Sequence, residues 1–103
     1  MDQETINEVE VTNAGELFLG IEGKGKPMYQ YIYREAAGVY WDEEHHGFKS
    51  TPLKEWSHSK WFSHIVGLVK SCLGVELQLS SKATWTNIPA QERDVITNEH
   101  GAI

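Results

Sequence analysis

The sequence has few of the features that identify secreted, membrane-spanning or nucleic-acid-binding proteins. It contains one cysteine, Cys72, so no disulfide can form within the chain, which favours a reducing compartment. No apolar run approaches the roughly 20 residues that cross a bilayer, and residues 2–8 are acidic where a secretory signal is basic and then apolar. No basic stripe is present to neutralise phosphates. We therefore expect a cytoplasmic protein that binds neither nucleic acid nor membranes.

The net charge of −6 is concentrated near the N-terminus. Residues 1–22 contain six of the fifteen acidic residues and no Lys or Arg, and the remaining residues balance at nine acidic against nine basic. We interpret this segment as a solvated acidic edge that aids solubility. The alternative is a surface for a basic partner.

The chain length limits the number of domains. A chain of 103 residues can form one domain with its own core and is too short for two. We predict a single domain over residues 1–103, with residues 1–6 and 98–103 disordered.

The stretch from Met28 to Trp41 is predicted to form the centre of the sheet. Its first seven residues alternate with period two, which places three tyrosines on one face of a strand: Tyr29, Tyr31 and Tyr33. Residues 35–38 form a short connection that ends in a glycine able to adopt positive φ, and residues 39–41 resume the β pattern. Aromatic residues favour strands and bury large areas, so we predict a β-hairpin here.

Other segments also have strand character. We predict strands around residues 9–11, at 16–22, at 47–50 and at 75–80, the second of them covered on both faces or bulged at its glycine. Ser50 or Thr51 is suited to cap a helical turn that begins at Pro52, and residues 81–83 are expected to turn.

The main helix is predicted over residues 59–73. Two adjacent rows of apolar side chains form a stripe suited to lie across a sheet: Trp61, Ile65, Leu68 and Cys72, and then Phe62, Val66, Val69 and Leu73. Ser57 or Ser59 caps the helix and Gly74 ends it. A short C-terminal helix follows Pro89 to about Ile96. The predicted class is α+β, a mostly antiparallel sheet of four to six strands with the main helix on one face.

Few residues suggest chemistry. His45 and His46 adjoin Glu44, and these three side chains are the only candidates for a metal site. They are weak candidates, because adjacent residues on a β segment point to opposite sides. His64 lies at the border of the apolar stripe and is interpreted as a boundary histidine, and Cys72 as a core residue. We predict no cofactor and no catalytic residue.

The run from Tyr31 to Asp42, continuing through residues 47–50, resembles stretches of small uncharacterised bacterial proteins encoded by mobile integron gene cassettes. The resemblance covers the middle third of the chain. It implies a compact, often oligomeric bacterial cytosolic protein and supplies no catalytic residues.

Three hypotheses for function follow, in order of preference. The first is a non-enzymatic binding or interaction protein, a homodimer or the partner of another protein, that uses the tyrosine face of the sheet. The second is a small-molecule pocket between sheet and helix, with Trp41, Trp61 and the tyrosines as walls and His64 or Glu35 as its polar group. The third is a metal-dependent enzyme at His45, His46 and Glu44.

Overall fold

The protein is described by a computed structural model covering residues 2–35, 38–52 and 56–101. Five strands form one sheet in the order β3-β4-β2-β1-β5. Their bounds are β1 Asp2–Val11, β2 Glu16–Ile21, β3 Val39–Asp42, β4 Gly47–Pro52 and β5 Val75–Thr86. β5 runs parallel to β1, and the other three neighbouring pairs are antiparallel. The predicted α+β class with a mostly antiparallel sheet is confirmed.

The main helix forms as predicted. It comprises α2 (His58–Leu68), which continues through a π-helical turn at Val69–Leu73. The Ser57 hydroxyl accepts a hydrogen bond from the Lys60 N–H at 3.2 Å and so caps the helix. Gly74 ends it with φ +69°, a left-handed conformation that glycine adopts without steric cost.

The segment before β3 is helical, and the strand predicted at residues 28–34 is wrong. A 3-10 helix at Pro27–Tyr31 leads into α1 (Ile32–Glu35). Helical spacing turns Tyr29 and Ile32 into the core, whereas Tyr31 and Tyr33 are 45% and 52% exposed. The predicted tyrosine face therefore does not exist, because proline at the helix start and core packing of every third residue outweigh the strand preference of the aromatics.

Two predictions of local structure in the second half of the chain are also wrong. Thr51 and Pro52 complete β4 instead of starting a helical turn, and residues 53–55 lie outside the described part. Residues 81–83 do not end β5, because the strand continues beside β1 as far as Thr86. The pairing instead absorbs three extra residues between the partners Ile6–Leu79 and Glu8–Thr84 as a bulge.

The chain ends differ from the predicted disorder. Residues 2–6 lie in β1, and residues 98–100 belong to α3 (Ala90–His100), which extends beyond the predicted end at Ile96. Residues 1, 102 and 103 lie outside the described part.

The core lies between α2 and one face of the sheet. It combines alternate residues of the strands with the apolar stripe of the helix. Burial of each large apolar side chain contributes about 1.5 to 3 kcal/mol of transfer free energy. Its fully buried members include Ile6, Val9, Leu17, Leu19, Phe48, Phe62, Ile65 and Val69. The one buried polar side chain in the described part, Ser50, accepts a hydrogen bond from the Leu17 N–H at 3.0 Å. Because α2 covers this face, the polar side chains of the strands project from the opposite one.

Candidate binding groove on the open sheet face

The sheet face opposite α2 carries a groove, which we call the open-face groove. Cross-strand pairing aligns Glu10, Phe18 and Lys49 in one row, and Glu8, Gly20 and Gly47 in the next. The groove has a volume of about 450 Å³. Its charged lining residues are Glu8, Glu10, Glu16, Asp42, His45 and Lys49, and residues 12–14 of the β1–β2 turn close one end.

Phe18 forms the floor of the groove. Although it faces away from the core, its side chain is only 5% exposed. The neighbouring row places Gly20 opposite Gly47, and the ring occupies the space that two side chains would fill. A Cβ added to Gly20 would lie 3.0 Å from the Phe18 Cε2, and one added to Gly47 would overlap the ring. The His45 ring approaches Phe18 edge-on, with centroids 6.4 Å apart.

One side of the groove is electrostatically balanced. Asp42 accepts hydrogen bonds at 3.0 Å from the backbone N–H groups of Glu44 and His45, and pairs with the His45 Nδ1 at 3.0 Å. Burial alone would raise the pKa of Asp42, but the hydrogen bonds from His45 and the charges of His45 and Lys49 outweigh it and lower that pKa. In turn, the hydrogen bond to Asp42 and its charge raise the pKa of His45.

Lys49 and Thr12 both contact the Glu16 carboxylate next to this pair. The Lys49 Nζ lies 3.7 Å from an Asp42 carboxylate oxygen and 4.0 Å from the Glu16 Oε1. The Thr12 hydroxyl donates a hydrogen bond to the same Glu16 oxygen at 3.2 Å. Both carboxylates on this side of the groove therefore have a positively charged neighbour.

The other side, formed by β1, carries two carboxylates that form no ion pair within the described residues. Glu8 and Glu10 are two residues apart and project from the same face of the strand. Within residues 2–35, 38–52 and 56–101, no Lys, Arg or His nitrogen approaches either carboxylate within 4.0 Å. Burial raises the pKa of Glu8, the neighbouring carboxylate of Glu10 raises it further, and the charge of His45 opposes them without cancelling the rise. The Glu8 and Glu10 pair therefore favours binding of a positively charged group on this side of the groove.

The aromatic residues expected to wall one pocket belong to two separate clusters. Trp41 packs against Tyr29 and Phe48 in the core, with ring centroids 5.2 and 4.9 Å apart. Trp61 packs against Trp56 and His64 at 4.7 and 5.4 Å. Burial lowers the pKa of His64, which favours its neutral form. The side chain of Glu35 lies outside the described part of the chain.

The histidine candidates do not converge. In the described residues, no three His, Cys, Asp or Glu side chains come together as a metal site, so Glu44, His45 and His46 are not assembled into one. Instead His45 pairs with Asp42, and His46 occupies the turn with φ +55°. Cys72 is only half-buried near the end of the main helix and does not belong to the core cluster, so its predicted core role is wrong.

Comparison with known proteins identifies the family. Residues 21–83 match the family model described as Integron Cassette Protein Hfx_Cass5. The chain belongs to this integron cassette family. A solved structure from the mobile metagenome of the North West Arm Sewage Outfall, also named Integron Cassette Protein Hfx_Cass5, shares 31% sequence identity over 99% of both chains, with a TM-score of 0.43. No match is found among curated proteins. In the described residues, no helix of this integron cassette protein is long and apolar enough to cross a membrane.

The open-face groove of the cassette protein was not predicted from the sequence. Its residues come from three strands and two turns, and Glu8 and Glu10 were interpreted as part of a solvated edge. One local signal was present. Phe18 is apolar on the otherwise polar face of its strand and lies two residues from Gly20, a pattern that places a large ring over a bare backbone.

Proposed function

We propose that this integron cassette protein is a non-enzymatic, cytoplasmic binding protein that takes a small organic cation into the open-face groove. The observation that carries the proposal is the Glu8 and Glu10 pair, which has no Lys, Arg or His nitrogen within 4.0 Å among the described residues and lies beside the aromatic floor. A concave site with an apolar floor and a few converging polar groups is the usual form of a small-ligand site.

The chemistry of the groove selects the ligand class. A primary ammonium between Glu8 and Glu10 would relieve their mutual repulsion and form charge-assisted hydrogen bonds. The small exposed part of the Phe18 ring lines the groove and offers an apolar contact for the body of the ligand. Asp42 and Glu16 already have His45 and Lys49 within 4.0 Å, so the cation is expected on the β1 side. The volume of about 450 Å³ accommodates a ligand of a single ring or a short chain.

Benzylamine tests the proposal, with benzoate as the charge-reversed control of similar size and shape. The measurement is the change in backbone amide chemical shifts during titration at neutral pH. We expect benzylamine to shift resonances of β1 and β2 around Glu8, Glu10 and Phe18, and benzoate to leave them unchanged. Equal effects of the two compounds, or no shifts in the groove, would contradict the proposal.

Two variants locate the binding site. Glu8→Gln keeps the shape of the side chain and removes its charge, so we expect it to weaken benzylamine binding by about tenfold, the equivalent of one charge-assisted hydrogen bond. Glu22→Gln is the matched control, because Glu22 is exposed and does not line the groove. Equal affinities of the Glu8→Gln variant and the wild type would show that benzylamine binds elsewhere.

A further inference from the structure

The sheet ends in one long edge strand. β5 has 12 residues, whereas β3 at the opposite edge has four. β5 exchanges ladder hydrogen bonds with β1 on one side. Apart from this ladder, the one hydrogen bond of the β5 backbone in the described residues runs from the Lys82 N–H to the Ser80 hydroxyl and is 3.0 Å long. β5 therefore presents a row of backbone donors and acceptors that another strand can pair with.

The two halves of β5 are guarded differently. The half that contains Lys82 carries an exposed lysine, which discourages pairing with strands that offer it no acidic partner, and a bulge in the ladder with β1. The half from Val75 to Leu79 has neither, and it stays in regular register with residues 2–6 of β1. A partner strand must therefore form a regular ladder with the half from Val75 to Leu79 and place an acidic side chain opposite Lys82.

A second copy of the chain meets both requirements. We infer that the protein forms a homodimer in which the β5 strands of two copies pair antiparallel across their outer edges. With the twofold axis at Leu79, Glu76 lies opposite Lys82 of the partner subunit, and the symmetry forms this pair twice. Alternation with the buried Val75 and Leu77 places Glu76 on the open sheet face, and Lys82 is exposed within the bulge.

Charge supports pairing of the strand with itself. Glu76 and Lys82 are the only charged residues of β5, so the strand is neutral in a chain whose net charge is −6. Pairing at this edge therefore brings together the neutral strand of each copy, and the acidic groove of β1 and β2 stays clear of the interface. The five strands of each copy join into one continuous sheet.

Charge exchange tests the dimer. The solution mass is measured by light scattering coupled to size exclusion over a concentration series for the wild type, Glu76→Lys, Lys82→Glu and the double variant. We expect a wild-type dimer and a dissociation constant raised at least about tenfold in each single variant, because two attractive pairs become two repulsive ones. The double variant restores opposite charges and is expected to recover the wild-type dissociation constant. Circular dichroism verifies that the variants fold.

Three outcomes would overturn the inference. The first is a wild-type protein that remains monomeric at every concentration. The second is a double variant that dimerises no better than the single variants. The third is a dimer that persists in all β5 variants and dissociates on Tyr31→Ala and Tyr33→Ala, which would assign the interface to the exposed tyrosines. Benzylamine binding is measured separately, so this result and that of the groove proposal are distinguishable.

Discussion

Replacing the tyrosines of the helical segment one at a time distinguishes its observed structure from the alternation in its sequence. Tyr29 is fully buried, whereas Tyr31 and Tyr33 are about half exposed. A strand would place all three on one face, and truncating each to alanine would then have similar effects. The helical structure predicts that only Tyr29→Ala is strongly destabilising.

The magnitude follows from the contacts of Tyr29. Its ring packs against Trp41 and Phe48, with centroids 5.2 and 5.4 Å apart, and its hydroxyl donates a hydrogen bond to the Glu4 Oε2 at 2.7 Å. Deleting a buried aromatic ring costs about 3 to 5 kcal/mol. Tyr29→Phe removes only the hydroxyl, so we expect a loss of about 1 kcal/mol. Tyr31→Ala and Tyr33→Ala lose exposed rings that stack on Arg34, and each is expected to cost less than about 1 kcal/mol.

Urea unfolding followed by tryptophan fluorescence measures these differences. Stability is compared through the free energy of unfolding extrapolated to water, with the denaturant slope m checked for two-state behaviour. A Tyr31→Ala variant that loses as much free energy of unfolding as Tyr29→Ala would refute the helical assignment. Equal stability of Tyr29→Phe and the wild type would refute the contribution of the hydrogen bond to Glu4.

Two further predictions concern the open-face groove. The pKa of Glu8 is higher in the folded state than in the unfolded state, so ionisation of Glu8 destabilises the native state as the pH rises through these two values. We therefore expect Glu8→Gln to raise the free energy of unfolding by about 0.5 kcal/mol at pH 7 and to leave it unchanged at pH 3. Urea unfolding at both pH values measures this difference, and a gain confined to pH 3 would contradict the prediction. Gly47→Ala places a methyl group against Phe18 and 2.6 Å from the Leu19 carbonyl oxygen, so we expect a loss of about 1 to 3 kcal/mol in the same assay. Gly67→Ala is the control, because Gly67 lies on the exposed side of α2 with open space around it, and we expect this variant to gain about 0.5 to 1 kcal/mol in the free energy of unfolding. If Gly47→Ala left the stability unchanged, the position of the Phe18 ring would not depend on the absence of a side chain at residue 47.

The candidate site was beyond sequence reasoning because its parts are far apart in the chain. Glu8 and Asp42 line one groove only because β1, β2, β4 and β3 are neighbours in the sheet. Strand order depends on which edges pair, and that information is not contained in any local pattern. The excess of acidic residues in residues 1–22 was visible in the sequence. That Lys49 and His45 pair with carboxylates on only one side of the groove could be seen only from the strand register.

The elements that could be predicted correctly are those whose periodicity matches a single burial pattern. Helix α2 has an apolar stripe at helical spacing, with Ser57 and Gly74 as its end signals, and the alternation of β5 from Val75 to Leu79 matches one buried face. Such patterns predict structure reliably, because the conformation that the local sequence favours also buries the apolar side chains in the core.

The conformation of residues 27–35 depends instead on contacts with distant parts of the chain. Their tyrosines alternate like those of a strand, but the core accepts Tyr29 and Ile32, three residues apart, and Glu4 of β1 receives the Tyr29 hydroxyl. Likewise, β5 continues through a predicted turn because β1 supplies a partner as far as Glu10. In both places, contacts with distant residues outweigh local preferences that differ by only about 1 kcal/mol per residue.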